Sequence, residues 1–193
     1  MNGGGAIVLL FSLILLVPAT AVAQATQTVE DAEVGVRFVI PKGWEWRKRD
    51  STQYQRASFF VNCMPEVTKS YPCHLVVDYF PAPATQSAFA DADRRKWESA
   101  YSASGLRKIE STRDLTVGGF PGFEIVGREG LQRDAARSSN TYILVPAAGR
   151  LFRFSYTANQ DGKDYYDRFR PGIDAALKSF ASIGKPAASP KGK

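Results

Sequence analysis

The sequence predicts an α+β protein, a single domain in which extended segments outnumber helices. In residues 34–40, Val34, Val36, Phe38 and Ile40 alternate with other residues, which is typical of a strand with one buried face. Toward the C-terminal end, apolar residues instead follow the i, i+3, i+4, i+7 spacing of an amphipathic helix. Together with about 170 residues after an apolar leader, these patterns predict one domain of ordinary size.

The first apolar segment is predicted to be a secretory signal peptide. Residues 6–17 are uniformly apolar and are followed by Pro18 and by Ala-Val-Ala at residues 21–23, the arrangement of a leader and its cleavage site. A helix of this length reaches only about 18 Å, against a hydrocarbon core of roughly 30 Å. We expect cleavage between Ala23 and Gln24. The alternative is a retained N-terminal membrane anchor, since the residues before the apolar run include no Lys or Arg.

Composition divides the chain into four parts. Residues 1–23 are the signal peptide, residues 24–33 a flexible N-terminal segment, residues 34–183 the domain, and residues 184–193 a basic tail. The tail combines Pro, Ala, Gly, Ser and Lys without a large apolar side chain, and such composition predicts disorder.

The net charge of +6 limits the classes of partner. A nucleic-acid-binding surface needs a clustered basic stripe with interleaved aromatic residues, and an exported protein rarely meets nucleic acid, so we expect no such partner. The positive excess favours weak contact with an anionic membrane surface or with envelope polymers. A role in solubility alone is the simpler explanation of the charge.

Cys63 and Cys73 are predicted to form a disulfide bond. They lie at the facing ends of two strand-like segments, residues 57–61 and 75–80, and an even number of cysteines in an exported chain favours pairing. The alternatives are a catalytic thiol and a zinc site. Neighbours in a strand point to opposite faces, so His74 is badly placed to activate Cys73. Two Cys and one His are too few for four zinc ligands.

The N-terminal half is predicted to be mainly β-structure followed by a helix. Residues 41–43 form a turn, and residues 44–48 are expected to return as the hairpin partner of the first strand. The pair of strands around the cysteines comes next. Ser87 is expected to cap a helix that continues through Tyr101 and ends at a Ser-Gly pair.

The C-terminal half repeats the β-rich pattern. Its predicted extended segments are residues 106–117, 123–126, 141–145 and 151–157. Turn residues at 118–119 and 121–122 separate the first two segments, and the polar residues 128–140 are expected to include an exposed hairpin turn. Residues 146–150 form a turn that should bring the last two segments into an antiparallel pair.

The last predicted helix has the clearest periodicity. Its apolar positions are Tyr166, Phe169, Ile173, Ala176, Leu177 and Phe180. Proline is tolerated in the first turn of a helix but not in its interior. We therefore expect a short first turn and a main helix that begins near Pro171.

Four segments, in order, resemble the PsbP/Mog-type family, which includes small exported bacterial proteins. Residues 36–44, VRFVIPKGW, resemble its opening "φ-x-φ-P-x-G-W", and residues 117–123, VGGFPGF, resemble its mid-chain "φ-x-G-x-P-G/A-φ". Residues 149–156 and 169–180 are similar to its closing strand and helix. The resemblance covers residues 34–183.

The resemblance implies an α/β/α sandwich with a central antiparallel sheet flanked by helices, and it implies no single activity. Family members act mostly by docking to larger assemblies or envelope components. The implied function is therefore that of an exported, non-enzymatic domain, periplasmic or extracellular, that binds a protein or assembly of the cell envelope. The motif residues also have structural roles, and Trp44 is expected to fill the core.

The sequence predicts no catalytic residue, cofactor or metal. A Ser/His/Asp triad would depend on His74, beside the predicted disulfide. Residues 119–122 lack the Lys and Ser/Thr of a phosphate-binding loop.

Two sets of acidic residues have structural interpretations, one as a solvated helix face and the other as a favourable interaction with a helix dipole. Asp91, Asp93 and Glu98 lie among basic residues on the predicted first helix, the pattern of a solvated face. Asp161, Asp164 and Asp167 precede the last helix, where acidic groups favour the positive end of the dipole, and they lack the Gly and Glu of a calcium loop. A weak cation site there is the alternative.

The alternative function is binding of a small amphipathic ligand or lipid headgroup between sheet and helix. The aromatic residues that suggest it are Trp44, Trp46, Phe59, Phe60, Tyr79 and Phe80. Core packing explains most of them. A deep pocket with mixed polar and apolar lining would favour the ligand, whereas a sealed core would favour protein binding.

Overall fold

The computed structural model describes residues 25–49, 56–67, 72–129, 136–160 and 163–183. The predicted cleavage site at Ala23 and Gln24 and the predicted tail lie outside the described residues. No helix among the described residues is long and apolar enough to cross a membrane.

A small antiparallel sheet has β2 at its centre. Its strands, in the order β1-β2-β11, are β1 (Thr26–Asp31), β2 (Val36–Pro41) and β11 (Ala181–Ser182). Val36, Phe38 and Ile40 are fully buried, as the alternating pattern predicts. β1 lies in the segment predicted to be flexible, where the structure has a strand whose Val29 is buried opposite Phe38.

Among the described residues, the larger sheet has eight strands, and its neighbouring strands are antiparallel. The order along the sheet is β3-β4-β5-β9-β8-β7-β6, with β10 paired to β9. The strands are β3 (Glu45–Arg49), β4 (Arg56–Asn62), β5 (Cys73–Pro81), β6 (Arg107–Val117), β7 (Phe120–Glu129), β8 (Ala136–Val145), β9 (Arg150–Gln160) and β10 (Lys163–Asp164).

The predicted hairpin between the first strand and residues 44–48 is wrong. β3 joins the larger sheet, where Glu45 lies opposite Asn62 and Trp46 opposite Val61. Every side chain of β3 is exposed. β3 contains one large apolar residue, Trp46, which stays exposed, whereas β1 supplies the fully buried Val29 to the core.

Turns in the C-terminal half agree only in part with the prediction. Gly118 and Gly119 have φ values of 57° and 84° and join β6 to β7 in a two-residue turn, as expected. Pro121 and Gly122 lie inside β7 instead. A Cβ on Gly122 would lie 2.7 Å from the carbonyl oxygen of Tyr142, so glycine permits close strand packing there. β8 also starts earlier than predicted, within the polar stretch, and its residues at 138–141 are buried.

The described residues form two α-helices, α1 (Asp91–Ser102) and α2 (Tyr166–Lys178), and a short 3-10 helix at Pro146–Ala148. α1 begins after Ser87, because the carboxylate of Asp93 accepts a hydrogen bond from the backbone N–H of Ala90 (3.2 Å) and so holds the first turn there. α2 begins before Pro171, which lies inside it. Its first turn is held by Tyr166, whose backbone carbonyl accepts a hydrogen bond from the Tyr156 hydroxyl (2.7 Å).

The two helices pack on opposite faces of the larger sheet. On one face, Trp97 of α1 packs against Tyr142 at 4.8 Å between ring centroids. On the other face, α2 shares the layer with β2, whose Phe38 contacts Phe59 and Phe154. The fold is therefore a central antiparallel sheet flanked by helices. The predicted α/β/α sandwich holds only in part, since the small sheet occupies much of one helical layer.

The predicted disulfide bond between Cys63 and Cys73 is confirmed. Their Cα atoms are 5.2 Å apart, and both residues are buried. The backbone N–H of Cys63 also donates to the carbonyl oxygen of Cys73 (3.1 Å). The bond closes the connection between β4 and β5 and ties two strands of the sheet together.

Trp44 fills the space between β2 and α2, which confirms its predicted core position at 8% exposure. Its ring meets Phe169 edge-on at 6.3 Å. A Cβ on Gly172 would lie 2.5 Å from Cη2 of Trp44 and 2.9 Å from Cγ of Pro41. α2 can therefore approach this closely only because residue 172 has no side chain.

A buried ion pair attaches α2 to the far half of the sheet. Glu124 of β7 is 1% exposed and lies 2.7 Å from Nη1 of Arg170 and 2.8 Å from Nη2 of Arg113. Burial alone lowers the pKa of Arg170, but the hydrogen bond to Glu124 and the negative charges of Glu124 and Asp174 together raise it overall. Arg170 therefore stays charged, and Asp174 also binds it at 2.7 Å.

We expect Gly172→Ala to lower the free energy of unfolding by about 1–3 kcal/mol, because overpacking against Trp44 outweighs the roughly 1 kcal/mol that alanine gains over glycine in a helix. Urea unfolding measures the change. In a Trp44→Phe background the smaller ring should reduce the cost of the same substitution. An equal cost in both backgrounds would contradict the proposed steric cause.

We expect Glu124→Gln to destabilise the fold by about 3 kcal/mol, since it removes the buried anion that Arg170 and Arg113 share and leaves Arg170 with only the more exposed carboxylate of Asp174. Glu110→Gln is the matched control, because Glu110 and its partner Arg128 have side chains that are 37% and 42% exposed. That change should cost less than about 1 kcal/mol. Equal decreases in the melting temperatures of the two variants would contradict the expected difference between the buried and the exposed ion pair.

Candidate functional site

A cleft of about 450 Å³ opens beside β3, where the two sheets meet. Its lining residues are Gln27, Trp44, Glu45, Trp46, Arg47, Phe60 and Asn62. We call this space, together with the edge of β3, the β3 cleft. Its volume falls within the roughly 300–1,000 Å³ of ligand-binding pockets, and its mixture of aromatic and polar groups is typical of them.

The end of the small sheet forms the inner wall of the cleft. The chain turns at Gly43, whose φ is 98°. Glycine adopts such a positive φ at little energetic cost, and Trp44 then enters the core. The side-chain amide of Gln27 donates to the carbonyl oxygens of Trp44 and Pro41. Backbone and side chain therefore hold the start of β3 in a defined position.

The outer wall of the cleft is formed by both faces of β3. Trp46 lies opposite Val61 and Arg47 opposite Phe60, and neighbouring residues of a strand point to opposite faces. Trp46 is 39% exposed and contacts Phe59 at 6.0 Å between ring centroids. Because both residues line one cleft, it extends around the edge of the sheet.

Cationic and aromatic side chains form a row beside the cleft. The guanidinium carbons of Arg47 and Arg49 lie 5.3 Å and 5.6 Å from the centroid of the Phe60 ring. On β5, His74 stacks on the same ring at 5.7 Å. Such cation–π contacts are attractive, and they place two guanidinium groups along one face of β3.

Lys48, on the opposite face of β3, is bound to the turn after β1. Its ammonium group lies 2.8 Å from Asp31 and 2.9 Å from Glu33, and hydrogen bonds to these carboxylates raise the pKa of Lys48. Burial alone would raise the pKa of Asp31, but the hydrogen bond from Lys48 and those from the backbone lower it overall. These ion pairs fasten β3 to the small sheet.

β3 is an edge strand. Among the residues that the structure describes, it pairs with β4 on one side and with no strand on the other. Its register is regular from Glu45 opposite Asn62 to Arg49 opposite Ser58. Edge strands direct alternate N–H and C=O groups outward, so the β3 cleft combines backbone hydrogen-bonding groups with aromatic and cationic side chains.

The structure separates the six aromatic residues that suggested a ligand site. Trp44, Trp46 and Phe60 line the β3 cleft. Phe59 packs in the core, Tyr79 packs against Phe152, and Phe80 packs against Trp97. Gln27 and Asn62 were not predicted as lining residues. Periodicity offers no signal for Gln27, because TQTVED contains a single apolar residue.

Several of the remaining candidate residues have structural partners. The disulfide leaves neither cysteine as a thiol, so the alternative of a catalytic cysteine is wrong. Arg94, within the acidic group of the first helix, pairs with Asp114 at 3.0 Å. Asp167 pairs with Arg137, while Asp161 lies outside the described residues. Within the described part of the chain, no three His, Cys, Asp or Glu side chains are grouped as metal ligands.

No protein-family model and no curated protein matches the sequence. Solved structures match its fold. The chain is similar to cyanobacterial PsbP (CyanoP) from Synechocystis sp. PCC 6803, at 13% identity and a TM-score of 0.58, over 86% of this chain and 96% of that one. It is also similar to the Saccharomyces cerevisiae Ran-binding protein Mog1p, at 10% identity and a TM-score of 0.56, over 84% and 97%.

A third similar structure is LpqN, which is involved in cell envelope biogenesis of Mycobacterium tuberculosis. It is 12% identical, with a TM-score of 0.50 over 82% of this chain and 91% of that one. These matches confirm that the protein has a PsbP/Mog-like fold. At such identities the likeness concerns the fold alone.

We expect the Asp31–Lys48 ion pair to make stability depend on pH. The pKa of Asp31 is lowered from its ordinary value of 3.8, so its charged form stabilises the fold above that pH and this contribution is lost as the pH falls through the lowered pKa. At pH 7 the wild type should be more stable than Asp31→Asn by about 1 kcal/mol or less. The difference should shrink below pH 3.8.

Denaturant unfolding at a series of pH values measures this difference. The matched control is Glu30→Gln, in the same strand, because Glu30 and Arg37 are about half exposed and 4.0 Å apart. The control should show no comparable pH dependence. A wild-type advantage over Asp31→Asn that stays constant in acid would exclude the charge as its source.

Proposed function

We propose that this chain is an exported, non-enzymatic domain that binds a protein or assembly of the cell envelope through the β3 cleft. The observation that carries the proposal is the junction of an edge strand with an open cleft lined by aromatic and cationic residues. The strands that form the cleft keep this surface in a defined position. Its aromatic, cationic and amide side chains are suited to binding a partner rather than to catalysing a reaction.

Two features support export. Disulfide bonds persist mainly in oxidising compartments outside the cytosol, and Cys63 and Cys73 form one. The apolar leader of residues 6–17 is the segment that would direct export. Weak contact of the basic chain with anionic membrane surfaces would accompany binding to an envelope partner.

The composition of the β3 cleft supports a protein partner. Trp and Arg are enriched among the residues that contribute most to protein–protein binding. Trp46 and Arg47 are neighbours on β3 and both line the cleft from opposite faces of the strand, and Trp46 is a large apolar side chain that is exposed. The similar protein Mog1p is described as Ran-binding and LpqN as involved in envelope biogenesis. Both descriptions are compatible with a binding role here.

A second candidate function is binding of a small amphipathic ligand. The mixed lining of the β3 cleft favours it, since Trp44 and Phe60 supply apolar surface while Gln27 and Asn62 supply amide groups. Native mass spectrometry of protein purified from its own compartment would test this function. A bound species that is lost in Trp46→Ala would support it, and its absence from the wild type would count against it.

We expect a photocrosslinking residue at Glu45, on β3, to capture an envelope protein in intact cells. The same residue at Ser111, on the opposite edge strand β6, is the matched control, because both positions are exposed. Adducts from Glu45 should be identified by mass spectrometry and should disappear with Arg47→Glu. Adducts from Ser111 alone, or from neither position, would contradict the proposed surface.

A further inference from the structure

We infer that β3 accepts an extended acidic segment of the partner protein, which adds to the free edge as a further strand. The inference rests on the proposed protein-binding function and specifies its chemistry. It is supported by the geometry of the edge, by the charges along β3, and by the position of the cleft beside it.

The geometry of β3 suits strand addition. The strand keeps one register with β4 over all five residues from Glu45 to Arg49, so its outer edge runs without a bulge. Among the described residues no strand occupies that edge. Main-chain hydrogen bonds to such an edge supply affinity, and pockets for alternate side chains supply specificity.

The charges of β3 favour an acidic occupant. Its sequence, EWRKR, contains three cations and one anion. Lys48 is bound to Asp31 and Glu33 on one face, whereas Arg47 and Arg49 lie over Phe60 on the other. Opposite charges that face each other across paired strands stabilise the pair. Acidic residues opposite the two arginines would therefore lie two positions apart in the bound segment.

The cleft adds an apolar position to this pattern. Trp46 points to the face opposite Arg47, so the partner residue opposite Trp46 would contact its exposed ring. In the antiparallel direction the bound segment would read acidic-x-acidic-apolar, with the apolar side chain in the cleft. The acidic residues of the added strand would therefore lie on one face, and its apolar residue on the other.

Two other interpretations of the edge are weaker. Short edge strands with Lys or Arg also reduce unwanted pairing, but that role does not require an aromatic cleft with an exposed tryptophan beside the edge. Pairing of β3 with a second copy would bring six cations together in chains of net charge +6 each. Like charges opposite each other are destabilising, so the charge pattern favours an acidic partner.

A synthetic peptide tests the inference directly. The probe alternates Glu with Val and has a central Phe, and the control peptide has the same composition with its Glu residues grouped at one end. Titration calorimetry should detect binding of the alternating probe, and the grouped peptide should bind at least tenfold more weakly. Arg47→Glu combined with Arg49→Glu should reduce affinity at least tenfold. Arg49→Glu alone should also weaken binding, whereas Lys108→Glu, a single charge reversal on the other edge strand, should leave the affinity unchanged.

Backbone pairing requires a separate readout. N-methylation of alternate peptide bonds in the probe should abolish binding, and the bound probe should slow amide hydrogen exchange in residues 45–49. Binding that survives N-methylation in both alternations, or that leaves exchange unchanged, would overturn strand addition. Circular dichroism establishes that each variant is folded. A dimer of the free protein that is dispersed by the arginine substitutions would also overturn the inference, in favour of a second copy.

The outcomes distinguish this inference from the proposed function. Capture of an envelope protein from Glu45, without binding of the alternating probe, would refute strand addition and leave the protein-binding function intact. Probe binding with slowed exchange, without capture in cells, would support the acidic strand as ligand and contradict the proposed envelope partner.

Discussion

The close contact between Trp44 and Gly172 is the constraint on which the rest of the structure depends. It joins the end of β2 to α2 at a distance that leaves no room for a Cβ. Because the indole occupies this space, the chain leaves the small sheet at Gly43 and continues into the larger sheet as β3. The same residue thus closes the core on one side and forms the inner wall of the β3 cleft on the other. Core packing and the candidate binding surface therefore share one side chain.

Ion pairs divide into those that assemble the fold and those that shape its edge. The buried carboxylate of Glu124 holds Arg170 and so fixes α2 on the far half of the sheet. At the other end, Lys48 is bound by Asp31 and Glu33, which aligns β3 with the small sheet. Since this engages the cation on one face of β3, the arginines on the other face define the electrostatic character of the cleft. Loss of one partner from the buried pair is costly because it leaves an uncompensated buried charge, whereas an exposed pair contributes little to stability.

The differences between prediction and structure have a common physical origin. The Cys63–Cys73 bond and the two-residue turn at Gly118 depend on local chemistry, and both were predicted. The partner of β2 was predicted wrongly, because the pairing depends on burial of Val29 against Phe38, and Val29 alone gives β1 no alternating apolar pattern. α2 begins before Pro171 because buried contacts of Tyr166 outweigh the cost of an internal proline. For the candidate site, Trp44, Trp46 and Phe60 were named beforehand, whereas Gln27 and Asn62 were not.

By itself, the sequence determined the α+β class, the pairing of the cysteines, the positions of most strands and the presence of two helices. These properties follow from side-chain periodicity and turn chemistry, which act over a few residues. Only the tertiary structure decided which strand lies at the edge, and which aromatic residues leave the core to line a cleft. That choice depends on long-range packing. Trp44 and Gly172 are far apart in the chain, and their close contact in the core forms only when the whole fold is assembled.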